Sequence, residues 1–206
     1  MGNNLRQPAG VSRPKRILVL TEGESERIYL NGFRSANASY RRKLSGLVVE
    51  QPQNNDPLGL VREAKRKITE SRTLPYDSVW VVFDRNGHAN IRKAIDEACT
   101  YKKIINVAFT SRCFEYWILL HFEQTNKLFK NCDEVKSYLI KRHLKAYEKT
   151  CNFYPMVSKF QERALKNAIW LHDRNRPDIE NGMSLDSLQA YTSFDKLLQY
   201  LIEAVQ

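Results

Sequence analysis

Two acidic residues follow apolar runs that are typical of strands buried on both faces of a parallel sheet. Residues 17–20 lead through Thr21 to Glu22, and residues 79–83 lead directly to Asp84. If the two strands are parallel neighbours, both carboxylates lie at the carboxyl edge of the sheet, where open α/β sheets bind ligands. Two hard oxygen ligands favour Mg²⁺ or Mn²⁺. Each run alone is equally typical of a helix cap or a solvated turn, and the pair in this order is what favours a metal site.

A third acidic residue, Glu115, lies on a predicted helix that has almost no polar face. We expect this helix to open at Cys113, to be capped by Thr110 and Ser111, and to be buried. A buried carboxylate must be paired, protonated or bound to a cation. Because the helix directly follows a strand, we favour a site role for Glu115 over simple stabilisation by the helix macrodipole. His121 on the same helix is predicted to be a hydrogen-bonded core residue.

The elements that position these residues alternate between strand and helix. The turn at Gly23 leads into a first helix whose inner side includes Tyr29 and Phe33. The pattern then predicts a strand at residues 47–50, a helix at 57–72, the strand ending at Asp84, a helix at 91–99 and a strand at 104–109. This order is typical of parallel crossover units. The predicted fold class is therefore α/β, with a mostly parallel sheet flanked by helices.

From about Asn126 the pattern becomes helical. Amphipathic periodicity predicts helices at residues 127–147, 159–171 and 194–205, the last capped by Ser193. Residues 172–183 contain Pro177 and are predicted to be a loop. We therefore divide the chain into a disordered basic arm (1–14), an α/β core (15–125) and a helical C-terminal part packed on that core (126–206).

The chain is strongly basic. It has 33 Lys and Arg against 23 Asp and Glu, a formal net charge of +10 and a pI near 9.5. Such a balance favours contact with polyanions. Nucleic acid is the first candidate and an anionic membrane surface the second, while a merely soluble basic protein is the simplest alternative. Two predicted helix faces are candidates for phosphate contact, although a solvated face explains them equally well: Arg62, Lys65 and Arg66 on one, and Lys141 and Arg142 on the other.

Several protein classes are excluded by what the sequence lacks. It has no apolar run of about 20 residues that could span a membrane, and its first residues lack an apolar signal core. Its four cysteines form no C-x-x-C pair, so their spacing does not predict a structural zinc site. Scattered cysteines of this kind are typical of reduced thiols in a cytoplasmic protein. The G-x-x-x-x-G-K-[ST] pattern of P-loop NTPases is absent.

Three segments together resemble the RloB-like family. The first of them, residues 21–26, closes the stretch 15–26, which resembles the opening motif of the Toprim fold, a buried strand that ends in Glu-Gly with a second acid soon after. Residues 83–88 resemble the Toprim Asp-x-Asp motif, and residues 113–122 (CFEYWILLHF) are the most distinctive segment. The resemblance spans most of the chain. It implies a Toprim-like fold with a metal-dependent nuclease-type site, in a protein of bacterial phage-defence or restriction loci that often stands beside an ATPase partner.

The resemblance also implies roles for individual residues. Glu22 would be a metal ligand or general base, Asp84 a metal ligand, and Glu24 or Glu26 an accessory acid and further ligand. Asn86 stands where the Toprim motif has its second acid. Its amide oxygen can still bind a hard cation, but it brings no charge and cannot act as a base. One-metal activation of water, or charge relief at the leaving oxygen, is therefore the simpler expectation.

Arg85 and His88 lie on the same turn as Asp84. Either could neutralise a scissile phosphate, and His88 could donate a proton; Arg85 could instead pair with a neighbouring carboxylate. Two functions follow from the sequence. The first is a metal-dependent nuclease that hydrolyses phosphodiester bonds in DNA or RNA. The second is a non-catalytic nucleic-acid-binding subunit that works with an ATPase partner, which the amide at Asn86 and the basic helices favour.

Overall fold

Four parallel strands form the sheet that positions the acidic residues. The computed structural model describes residues 13–101 and 104–206. Its strands are β1 (Ile17–Thr21), β2 (Leu47–Glu50), β3 (Ser78–Asp84) and β4 (Ile105–Thr110), in the order β2-β1-β3-β4. Every pairing is parallel, with Ile17 beside Leu47 on one side and Ser78 on the other. The predicted α/β class is confirmed, and the architecture is consistent with a Toprim-like fold.

Helices connect these strands as the alternating pattern predicts. The connections are α1 (Glu24–Ser35) and the short α2 (Ala38–Lys43) between β1 and β2, α3 (Pro57–Glu70) between β2 and β3, and α4 (Ile91–Cys99) between β3 and β4. The start of α3 shows why the chain turns there. Asp56 is the N-cap and accepts hydrogen bonds from the amides of Leu58 and Gly59, while Pro57 suits the first helical position.

The chain after β4 is helical, as predicted. It contains α5 (Glu115–Leu120), α6 (Cys132–Arg142), α7 (Tyr154–Val157), α8 (Gln161–Glu180) and α9 (Phe194–Glu203), with a 3₁₀ turn at Ser158–Phe160 before α8 and another at Leu185–Ser187. The helix predicted at residues 127–147 is shorter than expected. It begins at Cys132 because the side chain of Asn131 caps it, accepting a hydrogen bond from the amide of Glu134 at 3.0 Å.

The loop predicted at residues 172–183 is wrong, because α8 continues through Pro177 to Glu180. A proline near the end of a helix removes only one backbone hydrogen bond. Contacts with the chain before α9 hold the extra turns in place. His172 Nε2 lies 3.0 Å from Asp195 Oδ1, and the amide of Asn175 donates to the carbonyl of Ala190 at 2.9 Å.

The predicted capping of α5 by Thr110 and Ser111 is also wrong. The helix begins at Glu115, and no side chain caps its amino end. Both hydroxyl groups instead contact the segment that precedes α9. The Thr110 hydroxyl lies 2.9 Å from that of Thr192, and Ser111 donates to the carbonyl of Leu188 at 2.6 Å. These bonds fix the end of β4 and therefore the direction in which α5 leaves the sheet.

Alternate side chains of the strands face two hydrophobic layers, as the period of two requires. Ile17, Val19 and Val82 face a layer that includes residues of α1, α5, α8 and α9. Leu18 and Val81 face the other layer, which α3 and α4 cover. The first layer therefore draws on both the 15–125 and the 126–206 segments, and the division of the chain at that point stays a prediction.

Two further expectations concern the ends of the chain and the membrane. Residues 1–12 of the predicted basic arm lie outside the described residues. Arg13 is described, and its guanidinium lies 3.1 Å from the carboxylate of Asp77.

Within the described residues, the helices are all too short or too polar to cross a membrane.

Candidate active site

The two acidic positions predicted from the sequence lie at the carboxyl ends of adjacent strands. From β1 the chain moves to β2 on one side and then returns to β3 on the other. The connections therefore diverge between β1 and β3, and such a switch point leaves a crevice outside the strand ends. Glu22 follows β1 and Asp84 ends β3. The structure thus brings these two residues together.

Glu22 is held by hydrogen bonds on both carboxylate oxygens. Its Oε2 accepts from the backbone amide of Asp84 at 3.1 Å, and its Oε1 lies 2.8 Å from His88 Nε2. Because a carboxylate only accepts, His88 Nε2 carries the hydrogen of this bond. The backbone of Glu22 is fixed as well, since its carbonyl accepts from the side chain of Asn55 at 2.6 Å. The carboxylate is therefore oriented before any ligand arrives.

Asp84 and Glu26 are buried beside Glu22, with only 8% and 3% of their surfaces exposed. Burial, and then the charge of Glu22, holds the pKa of Asp84 well above its usual range. Burial raises the pKa of Glu26 to about 8, and the charges of Glu22 and Glu115 add to the effect. Gly23 permits this packing, because a Cβ there would lie 2.5 Å from Glu26 Oε2.

Glu115 reaches the same place from the first turn of α5 and is fully buried. Its Oε1 accepts a hydrogen bond from the hydroxyl of Tyr147 at 3.1 Å and lies 3.5 Å from Lys149 Nζ. Burial and the charge of Glu115 raise the pKa of Tyr147, so its hydroxyl remains the donor. That hydroxyl also lies 3.2 Å from the hydroxyl of Ser25 at the start of α1. The carboxylate is thus partly, not fully, compensated.

These side chains line a small acidic cavity of about 160 Å³. Its lining includes the carboxylates of Glu22, Glu26, Asp84 and Glu115, the amides of Asn55 and Asn86, and Lys149. Burial lowers the pKa of Lys149, but the surrounding acidic groups, Glu115 first, raise it by more, so that it stays cationic. One ammonium group cannot balance four ionised carboxylates, so the cavity favours the binding of protons or of a further cation.

The donor set of the acidic cavity fits a divalent cation. Asp84 Oδ1 and Glu115 Oε2 are buried and have no hydrogen-bond partner among the described residues. All the acidic donors are hard oxygen atoms, the kind that Mg²⁺ and Mn²⁺ prefer. In the part of the chain that the structure describes, however, no three His, Cys, Asp or Glu side chains are already arranged to hold a metal ion. Cation binding would therefore require these side chains to move.

The turn after β3 places its polar residues differently. Asn86 lines the acidic cavity, and its Oδ1 is 3.4 Å from Cys132 Sγ. His88 contacts Glu22 as described above. Arg85 turns away, because its guanidinium donates to the backbone carbonyls of Asp186 and Leu188. It therefore forms neither the predicted carboxylate pair nor a contact with the acidic cavity.

The two predicted phosphate-binding faces lie outside the cavity. On α3, Lys65 pairs with Glu97 at 2.9 Å, and Arg66 pairs with Glu63 and Glu70 of its own helix. These pairs reduce the positive charge that the face offers, although Arg62 forms no ion pair within the described residues. Lys141 and Arg142 are exposed at the end of α6. Phosphate binding at either face stays a prediction.

Sequence reasoning missed Asn55 and Lys149, which line the cavity, and Tyr147, which holds Glu115 from outside it. Each lies in a loop or turn rather than at the end of a strand. No spacing pattern links Tyr147 or Lys149 to Glu115, which is more than 30 positions away. The interpretation of His121, in contrast, is confirmed. Burial lowers its pKa to about 4, and it lies between the hydroxyl of Tyr29 and the carbonyl of Trp117, at 3.0 and 3.1 Å.

Comparison with known proteins identifies the family of this chain. No curated protein and no solved structure matches the chain. A family model described as "RloB-like protein" matches residues 17–201, which include every strand, the four carboxylates and Lys149. The chain therefore belongs to the RloB-like family.

Proposed function

We propose that this protein is a metal-dependent nuclease that hydrolyses phosphodiester bonds in DNA or RNA. One observation carries the proposal: Glu22 and Asp84 meet at the switch point of a parallel sheet and share a small, largely buried cavity with Glu26 and Glu115. Carboxylates gathered without enough cations are unstable unless they bind protons or metal. An acidic cavity of this kind in a chain with a net charge of +10 favours a cation-dependent reaction on a polyanion.

Glu22, Glu26 and Asp84 would hold a divalent cation, with the amide oxygen of Asn86 in reach of the same cavity. The cation would supply polarisation of the phosphoryl group and activation of water. The oxygens Asp84 Oδ1 and Glu115 Oε2 support this assignment, since they are buried carboxylate oxygens of the cavity that have no hydrogen-bond partner among the described residues. Asn86 adds no charge, which favours one cation over two.

The side chains around the cavity position protons. The Nε2–H group of His88 donates to Glu22 and lies at the rim, where it could donate to the leaving oxygen instead. Tyr147 and Lys149 hold Glu115, and the backbone amide of Asp84 holds Glu22. These contacts limit how far Glu22 and Glu115 would have to move when a cation binds.

The biological setting follows from the family. Membership of the RloB-like family fits a defence-related role. We infer that the role is antiviral defence in bacteria and that cleavage of nucleic acid is its output, with an ATPase as the partner protein. The sequence prediction of a cytoplasmic protein fits this setting.

Cleavage assays with paired isosteric variants test the proposal. Wild-type protein should cleave at least one substrate in a Mg²⁺ or Mn²⁺ screen over DNA, RNA and tRNA. Glu22→Gln and Asp84→Asn should each reduce the rate by about 100-fold or more, as expected when a ligand or a base is lost. Circular dichroism should show that both variants remain folded.

Glu24→Gln is the matched control, because Glu24 pairs with Arg27 on the surface and does not line the cavity. This variant should cleave like wild type. A Mn²⁺-dependent rise in Tm should likewise be present in wild type and Glu24→Gln and absent in Asp84→Asn. The proposal would be contradicted if Glu22→Gln, Asp84→Asn and Glu24→Gln all lost cleavage activity to the same extent. It would also be contradicted if wild-type protein cleaved none of the substrates.

A second candidate is a nucleic-acid-binding subunit without catalysis, acting with an ATPase partner. It is favoured by Asn86 and by the finding that no three acidic, histidine or cysteine side chains are pre-arranged for metal in the described residues. In that case Glu22→Gln and Asp84→Asn would keep wild-type binding of nucleic acid, and no metal would stimulate cleavage.

A further inference from the structure

A second cavity, of about 480 Å³, opens beside the acidic cavity, and Asn86 lines both. Its lining includes Arg85, His88, Arg112 and Lys130, and none of the described Asp or Glu residues is part of it. We call it the basic cavity. His88 links the two, since it lines the basic cavity and also contacts Glu22. A cavity of opposite charge therefore directly adjoins the four carboxylates.

The Arg and Lys side chains that line the basic cavity are not paired with carboxylates of the described residues. Arg85 donates to backbone carbonyls, and Arg112 donates to the side-chain oxygen of Gln189, which is a neutral amide. Lys130 is exposed. Within residues 13–101 and 104–206, none of these three cations forms an ion pair. Burial, and then the neighbouring charge of Arg112, lowers the pKa of Arg85, as expected of cations that crowd one another.

Arg112 also has an unusual backbone conformation. Its φ is +71°, a left-handed value that is uncommon for residues other than glycine and costs on the order of 1 kcal/mol or more. Two hydrogen bonds hold the backbone of Arg112 in this conformation. Its carbonyl accepts one from the backbone N–H of Asn86 at 3.1 Å and one from Cys132 Sγ at 3.2 Å. Both partners line the basic cavity. The chain thus fixes a strained arginine at the wall of a cationic cavity beside the candidate active site.

We propose that the basic cavity binds a phosphate of the nucleic-acid backbone adjacent to the phosphodiester that enters the acidic cavity. Arg112 and Lys130 are the contacting cations, and Arg85 contributes its charge from the wall. The strand then passes along the turn from Asp84 to His88, from the basic cavity to the carboxylates. This inference rests on the proposed function for the identity of the ligand, and binding measured without metal tests it separately from hydrolysis.

The test compares Arg112→Gln/Lys130→Gln with wild type in EDTA, using labelled single-stranded DNA and RNA of the same sequence. The double variant should bind at least one of them about tenfold or more weakly, because charge-assisted phosphate contacts are lost. The slope of log K against log salt should fall by about 1.4, about 0.7 for each lost contact to a single strand. Lys130→Gln alone, at an exposed side chain, should show about half of this change in slope and keeps the test valid if Arg112→Gln does not fold.

Lys159→Gln/Lys166→Gln is the matched control. It removes the same two charges from exposed positions before and within α8, and neither lysine lines either cavity. Its affinity and slope should remain close to wild type. No binding by wild type, unchanged binding by Lys130→Gln and the double variant, or an equal loss in the control would overturn the inference. If the variants showed the predicted changes in binding but wild-type protein cleaved no nucleic acid in Mn²⁺, phosphate binding by the basic cavity would be supported and only the nuclease proposal would be overturned.

Discussion

Four acidic side chains line one cavity of about 160 Å³ at the carboxyl edge of the sheet. Three of them, Glu26, Asp84 and Glu115, have almost no contact with solvent. Burial therefore raises the pKa values of Glu26 and Asp84, and the charges of neighbouring carboxylates raise them further. Metal-free protein retains protons on some of these groups. A divalent cation would compete with those protons, so we expect binding to strengthen as the pH rises.

The pH dependence of stability provides a test at Glu26. Its pKa rises from 4.5 to about 8 on folding, so its stabilising contribution is fully present below pH 4.5 and is lost as the pH rises through 8. Glutamine does not ionise, so in EDTA the Glu26→Gln variant does not lose this contribution to stability as the pH rises. The free energy of unfolding of Glu26→Gln should therefore exceed that of wild type increasingly between pH 5 and pH 9, by on the order of 1–3 kcal/mol.

Urea denaturation at a series of pH values measures this difference. Glu24→Gln removes a carboxylate two positions away on the surface and separates the local effect from the change in net charge. A constant difference between Glu26→Gln and wild type at all pH values would show that Glu26 is not buried among acidic groups.

The sequence could predict the acidic residues because each follows a recognisable element. Glu22 and Asp84 end apolar strand runs, and Glu115 begins an apolar helix. Tyr147 and Lys149 could not be predicted, because irregular chain carries them to Glu115 and no periodicity constrains such chain. The same limit applies to Arg85, whose partners lie about 100 positions later in the chain.

Strand order is the feature of the elements that produces the site. The order β2-β1-β3-β4 makes β1 and β3 neighbours, although β2 lies between them in sequence. The alternation of strands and helices predicted the parallel sheet, but not this order. Strand and helix bounds were predictable where the apolar period was strong, as in β2 and α4. They were not predictable where tertiary contacts decide, as in α8, which contacts of His172 and Asn175 extend into the expected loop.

The position of α1 matters because it carries Glu26, and Gly32 sets how closely α1 approaches α7. A Cβ at Gly32 would overlap the Cβ and Cγ atoms of Tyr154. At an open helix position, Gly→Ala would stabilise by about 1 kcal/mol. Here the overlap should reverse the sign, and Gly32→Ala should destabilise the protein by about 1–3 kcal/mol.

Thermal or urea denaturation measures the effect of Gly32→Ala, and Ser35→Ala at an exposed position of the same helix is the control. The control should be neutral or slightly stabilising. An increase in stability for Gly32→Ala would show that α1 and α7 are further apart than the structure indicates, and that α7 does not fix the helix that carries Glu26.

At the scale of the whole molecule, charge is divided between surface and site. The chain has a net charge of +10, while its most buried ionisable cluster is acidic. A basic exterior attracts a polyanion over a long range, and its effect weakens with salt. An acidic cavity repels the same polyanion unless a cation is bound. We therefore infer that bound metal strengthens the binding of nucleic acid at the acidic cavity and that nucleic acid strengthens the binding of metal, while the basic cavity keeps its own affinity for phosphate without metal.

Both halves of the chain should unfold together, because one hydrophobic layer includes strands from the front and helices from the back. Leu198 in α9 is fully buried in that layer. Leu198→Ala should cost about 2–5 kcal/mol. If the layer is one cooperative unit, hydrogen exchange measured by mass spectrometry should show the same loss of protection in β1 and β3 as in α9. Leu74→Ala is the control, because Leu74 is 54% exposed. It should change neither the free energy of unfolding nor the protection from hydrogen exchange. A loss confined to residues after 126 would show instead that the helical part opens independently, and that the acidic cavity is built on a core that is stable without it.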